Sequence, residues 1–272
     1  MTEEQAIASA PEPRTRLSLA ADLSRLGVTP GMTLLVHSSL SSLGWVCGGP
    51  VAVIQALFQA LGEDGTLVMP AHSGDLSDPG NWQNPPVPEA WWPIIRETMP
   101  AFDPAITPTR AMGRIAELFR TWPGAIRSNH PNDSFAALGR HAAYLTADHS
   151  LEDGLGEGSP LRRLYDLGGS VLLLGVGYDS CTSFHLAEVR SARYQHIQQG
   201  APILEGGRRV WKAHRHVDYQ VDGFVECGAE LDAAGSVRKG LVGSAPSRLF
   251  PVRPAVDFAA RWLAEHRPPP AS

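Results

Sequence analysis

The strongest candidates for chemistry in this chain are a histidine and a glutamate three residues apart. Val171 to Leu174 is a short apolar run bounded by glycines, which is typical of a strand buried on both faces, and a helix is predicted to begin near Ser183. His185 and Glu188 would lie on one face of that helix. A carboxylate that holds one imidazole nitrogen fixes the tautomer, so the pair suits a general base. The spacing alone is at least as typical of a polar helix start.

A second candidate site follows an earlier predicted strand. Thr33 to Val36 reads as a buried strand and leads into His37 and the hydroxyl-rich run Ser38 to Ser42. Ligands of sheets flanked by helices collect at the carboxyl ends of the strands, so this run is a candidate binding loop. A serine-rich turn without a ligand is an equally good interpretation.

The elements around these segments alternate between helix and strand. Helices are predicted near Leu17 to Leu26 and over Pro50 to Leu61, and strands over Thr33 to Val36 and Thr66 to Met69. Such alternation predicts an α/β (mixed α+β) fold in which helices flank a central mixed sheet.

The second half of the chain is predicted to add an antiparallel meander. Ala201 to Val210 and Trp211 to Val225 read as strands around the Gly206-Gly207 turn, Gly235 to Phe250 reads as irregular, and Ala255 to His266 reads as a helix. We interpret residues 1–16 as a frayed tail and residues 17–272 as a single domain.

Composition narrows the classes of function. The net charge is −5 and the chain has no Lys/Arg run, which argues against nucleic acid and suits a cationic ligand. Three unpaired cysteines and no apolar run of membrane-spanning length favour a reducing cytoplasm and no membrane. His214 and His216 could ligate zinc from one face of a strand, but no cysteine pair lies near them, so no metal is predicted.

Six segments, in this order and at this spacing, resemble the aminoglycoside 3-N-acetyltransferase family, whose fold is not the common acetyltransferase fold built on a pyrophosphate loop. The resemblance runs from about Leu17 to His266. The segments are Leu35-Val36-His37-Ser38-Ser39-Leu40, Thr109-Arg110-Ala111-Met112-Gly113, Arg127-Ser128-Asn129-His130-Pro131, Gly156-Glu157-Gly158-Ser159-Pro160, Leu172-Leu173-Leu174-Gly175-Val176-Gly177 and His185-Leu186-Ala187-Glu188.

The resemblance implies acetyl-coenzyme A as the donor and an amine on the deoxystreptamine ring of an aminoglycoside as the acceptor. His185 would accept the proton of the attacking amine, and Glu188 or Asp218 would orient its ring. The donor cleft would comprise Ser38, Ser39, Leu40, Ser41, Thr109, Met112 and Gly113. Acidic groups, among them Asp75, Asp179 and Glu226, would contact the polycationic drug.

Three other functions remain open on the sequence alone. An acetyltransferase for a different small amine, a thioester hydrolase that uses the same histidine with water, and a binder of cationic sugars all fit the same residues. Coenzyme A release in the absence of any amine would select the hydrolase, and drug binding without release would select the binder. Either a monomer or a homodimer is compatible with the sequence.

Overall fold

The computed structural model describes residues 3–9 and 12–269. Its helices are α1 Glu3–Ser9, α2 Arg16–Leu26, α3 Gly49–Leu61, α4 Trp92–Thr98, α5 Gly113–Arg120, α6 Ala142–Thr146, α7 Pro160–Asp166, α8 Ser183–Ser191, α9 Phe224–Ala233 and α10 Val252–His266. Its strands are β1 Thr33–Ser38, β2 Thr66–Pro70, β3 Ile126–Arg127, β4 Phe135–Gly139, β5 Ser170–Leu174, β6 His196–Glu205, β7 Arg208–Val217, β8 Arg238–Val242 and β9 Ala245–Pro251.

Seven of these strands form one mixed sheet in the order β3-β4-β2-β1-β5-β9-β8. The central strands β2, β1 and β5 run parallel, whereas β4 joins β2 and β9 joins β5 in antiparallel pairs. The side chains of β1, β2 and β5 are almost all buried, because helices cover both faces of the sheet. The predicted central mixed sheet flanked by helices is confirmed.

One hydrophobic core lies on each face of the sheet. The first packs Leu23 of α2, Leu57 of α3 and Phe119 of α5 against the sheet. The second packs Phe184 of α8 and Val256 of α10 against the other face. Because α8 is anchored through Phe184 and Leu186, neither of which is exposed, the intervening His185 is held in a fixed orientation.

Toward the C-terminus the structure departs from the prediction. Strands β6 and β7 form a separate two-stranded antiparallel hairpin around Gly206 and Gly207, as predicted, but β7 ends at Val217 and α9 begins at Phe224. The segment predicted to be irregular contains β8 and β9, which complete one edge of the sheet. Glycines and charged residues obscure the strand pattern in this segment, because the edge strand β8 is largely exposed.

The segment predicted as a frayed tail contains α1 and ends in contact with the rest of the chain. The backbone N–H of Arg14 donates to the carbonyl of Trp45, and the N–H of Cys47 donates to the carbonyl of Arg14. Residues 1–2 and 10–11 of that predicted tail, and residues 270–272 of the predicted domain, lie outside the described residues. Within the part of the chain that is described, no helix combines the length and apolarity needed to cross a membrane.

The proline-rich insertion between β2 and β3 is fixed to the sheet by a buried arginine. The guanidinium of Arg127 donates to the hydroxyls of Ser73 and Ser134 and to the carbonyls of Ala71 and Thr107. Such a set of bonds to a buried cation is costly to break, because the charge would lose its only solvation. The insertion therefore forms an ordered wall beside the end of β2.

Candidate active site

A cavity of about 750 Å³ opens at the carboxyl ends of β1 and β5. Its walls come from the end of β1 and the following loop, from the first residues of α3 and α5, and from the loop that joins β5 to α8. Gly175, with a φ of +71°, turns the chain sharply out of β5, because a left-handed conformation is accessible to glycine. The predicted position of the site at the ends of these strands agrees with the fold.

His185 lines this cavity and is bonded to Glu188. The Nδ1 atom of His185 lies 2.8 Å from Oε2 of Glu188, and the carboxylate is fully buried. With Nδ1 donating to the carboxylate, Nε2 is the unprotonated nitrogen and is free to accept a proton. The two residues are one helical turn apart on α8, so the local spacing predicted the contact.

The buried carboxylate is held on its other side by groups distant in sequence. Oε1 of Glu188 accepts bonds from Nη1 of Arg267 at 2.5 Å and from the backbone N–H of Gln220 at 3.1 Å. Arg267 follows α10, and no local pattern links it to α8. Both oxygens of Glu188 are therefore hydrogen-bonded, which offsets the cost of burying the carboxylate.

Two aromatic rings restrict the His185 imidazole. The ring centroid of Tyr219 lies 5.1 Å from that of His185, and the centroid of Phe224 lies 5.0 Å away. The Tyr219 hydroxyl accepts the N–H of Leu155. These contacts, together with the bond to Glu188, fix the plane of the imidazole.

A second imidazole lies on the same cavity wall and stays neutral. Nε2 of His37, at the end of β1, is 3.2 Å from the hydroxyl of Thr182. Burial, and secondarily repulsion from His185 when that imidazole is protonated, lower the pKa of His37 to about 3. His37 thus serves as a hydrogen-bond partner for Thr182 and cannot act as a second cation in the site.

Most residues predicted for the donor cleft line the cavity. Ser38, Ser39, Leu40 and Ser41 form one wall, and Met112 and Gly113 form another. Thr109 does not line it among the residues described. Its N–H and hydroxyl both donate to Oε2 of Glu117 on α5, so it fixes the start of that helix instead. The sequence around Thr109 did not predict these hydrogen bonds to Glu117.

One helix start and one arginine give the cavity a positive end. Gly113 begins α5, which has no side-chain hydrogen bond at its N-cap. Free N–H groups at a helix start attract anions. Gly49 begins α3 on the same cavity, but its N–H donates to the carbonyl of Val46 and the following Pro50 has no N–H. Arg114 adds a full positive charge beside the start of α5. Sequence reasoning missed Arg114, Thr182 and Trp45 as lining residues.

The acidic residues predicted to contact the cationic substrate are more widely spread over the structure than the residues predicted to bind the acetyl donor. Asp179 lines the cavity mouth and is exposed. Asp75 pairs with Arg110 on the surface, and Glu226 is exposed on α9. Asp218 follows β7, where its N–H donates to Gln195, and the carboxylate bonded to His185 belongs to Glu188. None of Asp75, Asp218 and Glu226 lines the cavity in the described part of the chain.

The comparisons with known proteins all give the same family. The model of the aminoglycoside 3-N-acetyltransferase family matches residues 35–264. The chain is 54% identical over 252 residues to the SPbeta prophage-derived aminoglycoside N(3′)-acetyltransferase-like protein YokD of Bacillus subtilis (strain 168), covering 92% of this chain and 93% of that protein. The crystal structure of YokD superposes with a TM-score of 0.95, covering 97% of this chain and 98% of that one.

Two further relatives carry names that state an activity or a ligand. The aminoglycoside N(3)-acetyltransferase VII of Streptomyces paromomycinus is 39% identical over 273 residues, covering 93% of this chain and 92% of that protein. A structure described as AAC-IIIb in a binary complex with CoASH superposes with a TM-score of 0.84 at 34% identity, covering 96% of this chain and all of that one.

Proposed function

The chain belongs to the aminoglycoside 3-N-acetyltransferase family, and on this premise we propose that it acetylates the 3-amino group of the deoxystreptamine ring of aminoglycosides with acetyl-coenzyme A. The observation that carries the proposal is the His185–Glu188 pair, whose imidazole lines a cavity of about 750 Å³. The relatives' names support the reaction class, and the geometry of this pair supports a general-base mechanism.

The donor lies along the positive end of the cavity. Its phosphates are bound by the N–H groups at the start of α5 and by the Arg114 guanidinium, because these are positive groups on that wall. The pantetheine arm then runs past Ser38 and Ser41 toward His185. Peptide N–H groups of this loop stabilise the oxyanion that forms at the thioester carbonyl.

His185 acts as the general base. An aliphatic amine is mostly protonated at neutral pH and attacks only as the free base, so its ammonium form first releases one proton to solvent, and a second proton leaves as the carbon–nitrogen bond forms. Nε2 of His185 takes that proton, while the Glu188 carboxylate stabilises the resulting imidazolium through Nδ1. The carbon–sulfur bond breaks, the thiolate of coenzyme A leaves, and the proton on His185 neutralises it.

The acetyl group passes directly between the substrates. A covalent route would need a hydroxyl or thiol activated by a base. In the described residues the cavity serines bond to one another: Oγ of Ser39 lies 3.2 Å from Oγ of Ser41 and accepts from Ser42 at 2.9 Å. Burial raises the pKa of the Cys181 thiol to about 12, which keeps it protonated.

The acceptor enters at the acidic mouth of the cavity. Asp179 lies there with an exposed carboxylate, and the net charge of −5 attracts a polycation over a longer range. Asp75, Asp218 and Glu226 lie outside the cavity wall, so we assign them at most to this long-range attraction.

The proposal is tested by following thiol release from acetyl-coenzyme A over a panel of aminoglycosides and simple amines. We expect release that depends on a deoxystreptamine drug and a product acetylated at the 3-amino group. Incubation with donor alone should leave the intact mass of the protein unchanged. Release without any amine would identify a thioester hydrolase, and turnover confined to other amines would assign a different acceptor.

A further inference from the structure

Three metal-ligating side chains lie together behind the cavity wall. His130 and Asp133 come from the loop between β3 and β4, and His216 comes from β7. One ligand atom from each lies within 4.8 Å of the other two. The ring of Tyr219 separates this group from the active site, with its centroid 5.4 Å from that of His216 and 5.1 Å from that of His185.

The carboxylate of Asp133 is the least satisfied member of the group. Its Oδ2 atom is buried and has no hydrogen-bond partner among the described residues. It lies 3.4 Å from Nε2 of His216 and 3.9 Å from Nδ1 of His130. An unpaired buried carboxylate is strongly destabilising unless a cation compensates it.

His130 is held in a tautomer that suits a metal. Its Nε2 lies 3.3 Å from the carbonyl oxygen of Leu151, whereas Nδ1 accepts the N–H groups of Asn132 and Asp133. The lone pair is therefore on Nδ1, the nitrogen that faces Asp133. Metal-bound histidines commonly donate their second N–H to a backbone carbonyl in this way. An ion at Nδ1 would displace the N–H groups of Asn132 and Asp133, which would then need other acceptors.

We propose that His130, Asp133 and His216 form a binding site for a divalent transition metal of the zinc class. Zinc in proteins is held at about 2.0–2.1 Å by histidine nitrogens and carboxylate oxygens, so tetrahedral ligand atoms lie about 3.3–3.5 Å apart. The two separations from the Asp133 carboxylate, 3.4 and 3.9 Å, are within about half an ångström of that spacing, and all three ligand atoms lie within 4.8 Å of one another. Two imidazoles and one carboxylate leave a fourth position for water.

The site ties the loop before β4 to the β6–β7 hairpin. The loop and the hairpin are distant in sequence, and the hairpin lies outside the main sheet. A bound ion would therefore add a direct link between two segments that the backbone does not connect closely. The ion would act on stability and take no part in acetyl transfer. The inference is independent of the reaction proposed above, because its test needs no substrate.

The experiment uses the full chain freed of metal with a chelator. Co²⁺ is titrated first, because it gives visible absorption in a tetrahedral site, and Zn²⁺ is then added as competitor. We expect one equivalent of Co²⁺ to bind and Zn²⁺ to displace it. Thermal unfolding with Zn²⁺ at a hundredfold excess over its Kd should show a melting temperature raised by about 5–10 °C.

Matched variants make the result decisive. His216→Gln and Asp133→Asn should each lose the cobalt spectrum and the melting shift, while His214→Gln, two residues along the same strand, should keep both. Asp133→Asn also removes the buried charge, so without metal it should unfold at the same or a higher temperature than the parent chain. The absence of a cobalt spectrum in the parent chain, or a melting shift that persists in His216→Gln, would overturn the proposal.

Discussion

The replacement of Glu188 by glutamine tests how the carboxylate controls the base. Glutamine has a similar shape but only one acceptor oxygen, and the Oε1 position already receives Arg267 and the Gln220 N–H. The amide oxygen will take that position, which turns the NH₂ group toward His185. An amide N–H that donates to Nδ1 forces the imidazole proton onto Nε2, where the base is needed.

The expected loss is large and falls on the chemical step. The wrong tautomer should lower kcat on the order of 10²–10⁴-fold, equivalent to about 3–5.5 kcal/mol of transition-state stabilisation. Replacing a buried carboxylate beside Arg267 should also lower the free energy of unfolding by about 1–3 kcal/mol. The KM for acetyl-coenzyme A should stay near that of the parent enzyme, because Glu188 does not line the cavity.

The assay is steady-state thiol release at saturating donor and acceptor, run well below the melting temperature of the variant. Glu157→Gln is the matched control, since Glu157 pairs with Arg190 of the same helix but contacts no catalytic group. It should keep kcat within about twofold. If Glu188→Gln retained kcat within about fivefold of the parent enzyme, the role of the carboxylate in setting the tautomer would be wrong.

Further predictions address the donor, the acceptor and stability. Arg114→Ala should raise the KM for acetyl-coenzyme A about tenfold without changing kcat, and should have no effect with S-acetylpantetheine, which lacks the phosphates. Asp179→Asn should raise the KM for the aminoglycoside and leave that for the donor unchanged, with the effect reduced in high salt. Burial keeps the pKa of His37 at about 3 in the folded protein, below its unfolded value of about 6.5. The free energy of unfolding therefore decreases as the pH falls from about 6.5 toward 3. His37→Gln should show a smaller decrease in the free energy of unfolding over this range. Gly228 lies in a helix, where alanine is ordinarily favourable, but the Cβ of Gly228→Ala would lie 2.1 Å from the Tyr178 ring. We therefore expect this variant to melt several degrees lower than the parent chain. A higher melting temperature would contradict the packing.

The parts of the site that are local in sequence could be predicted. The apolar run of β5, the glycines after it and the His185–Glu188 spacing are contiguous, and the structure places them as expected. Arg267 and Tyr219 could not be predicted, because their contacts with α8 depend on how α10 and the hairpin pack. A pattern of three or four residues carries no information about partners so distant in the chain.

The same lack of long-range information explains the errors in the predicted strands and in the predicted acidic site residues. The edge strand β8 is almost entirely exposed, and β9 contains proline, serine and arginine among its apolar residues, so neither shows the apolar run that identified β1 and β5. Asp218 lies inside the strand predicted over Trp211 to Val225, whereas β7 ends at Val217 and the carboxylate bonded to His185 is that of Glu188. The proposed metal-ligand group was not predicted, because the loop before β4 contributes two of its three members and the sequence pattern indicated only His214 and His216.

The most direct test of the central claim is the single-turnover rate of acetyl transfer in His185→Ala. When enzyme saturated with donor is mixed with saturating aminoglycoside, we predict donor binding equal to that of the parent enzyme and a transfer rate lower by on the order of 10²–10⁴-fold. A transfer rate unchanged from that of the parent enzyme, with both substrates bound, would show that the proton of the amine leaves by another route.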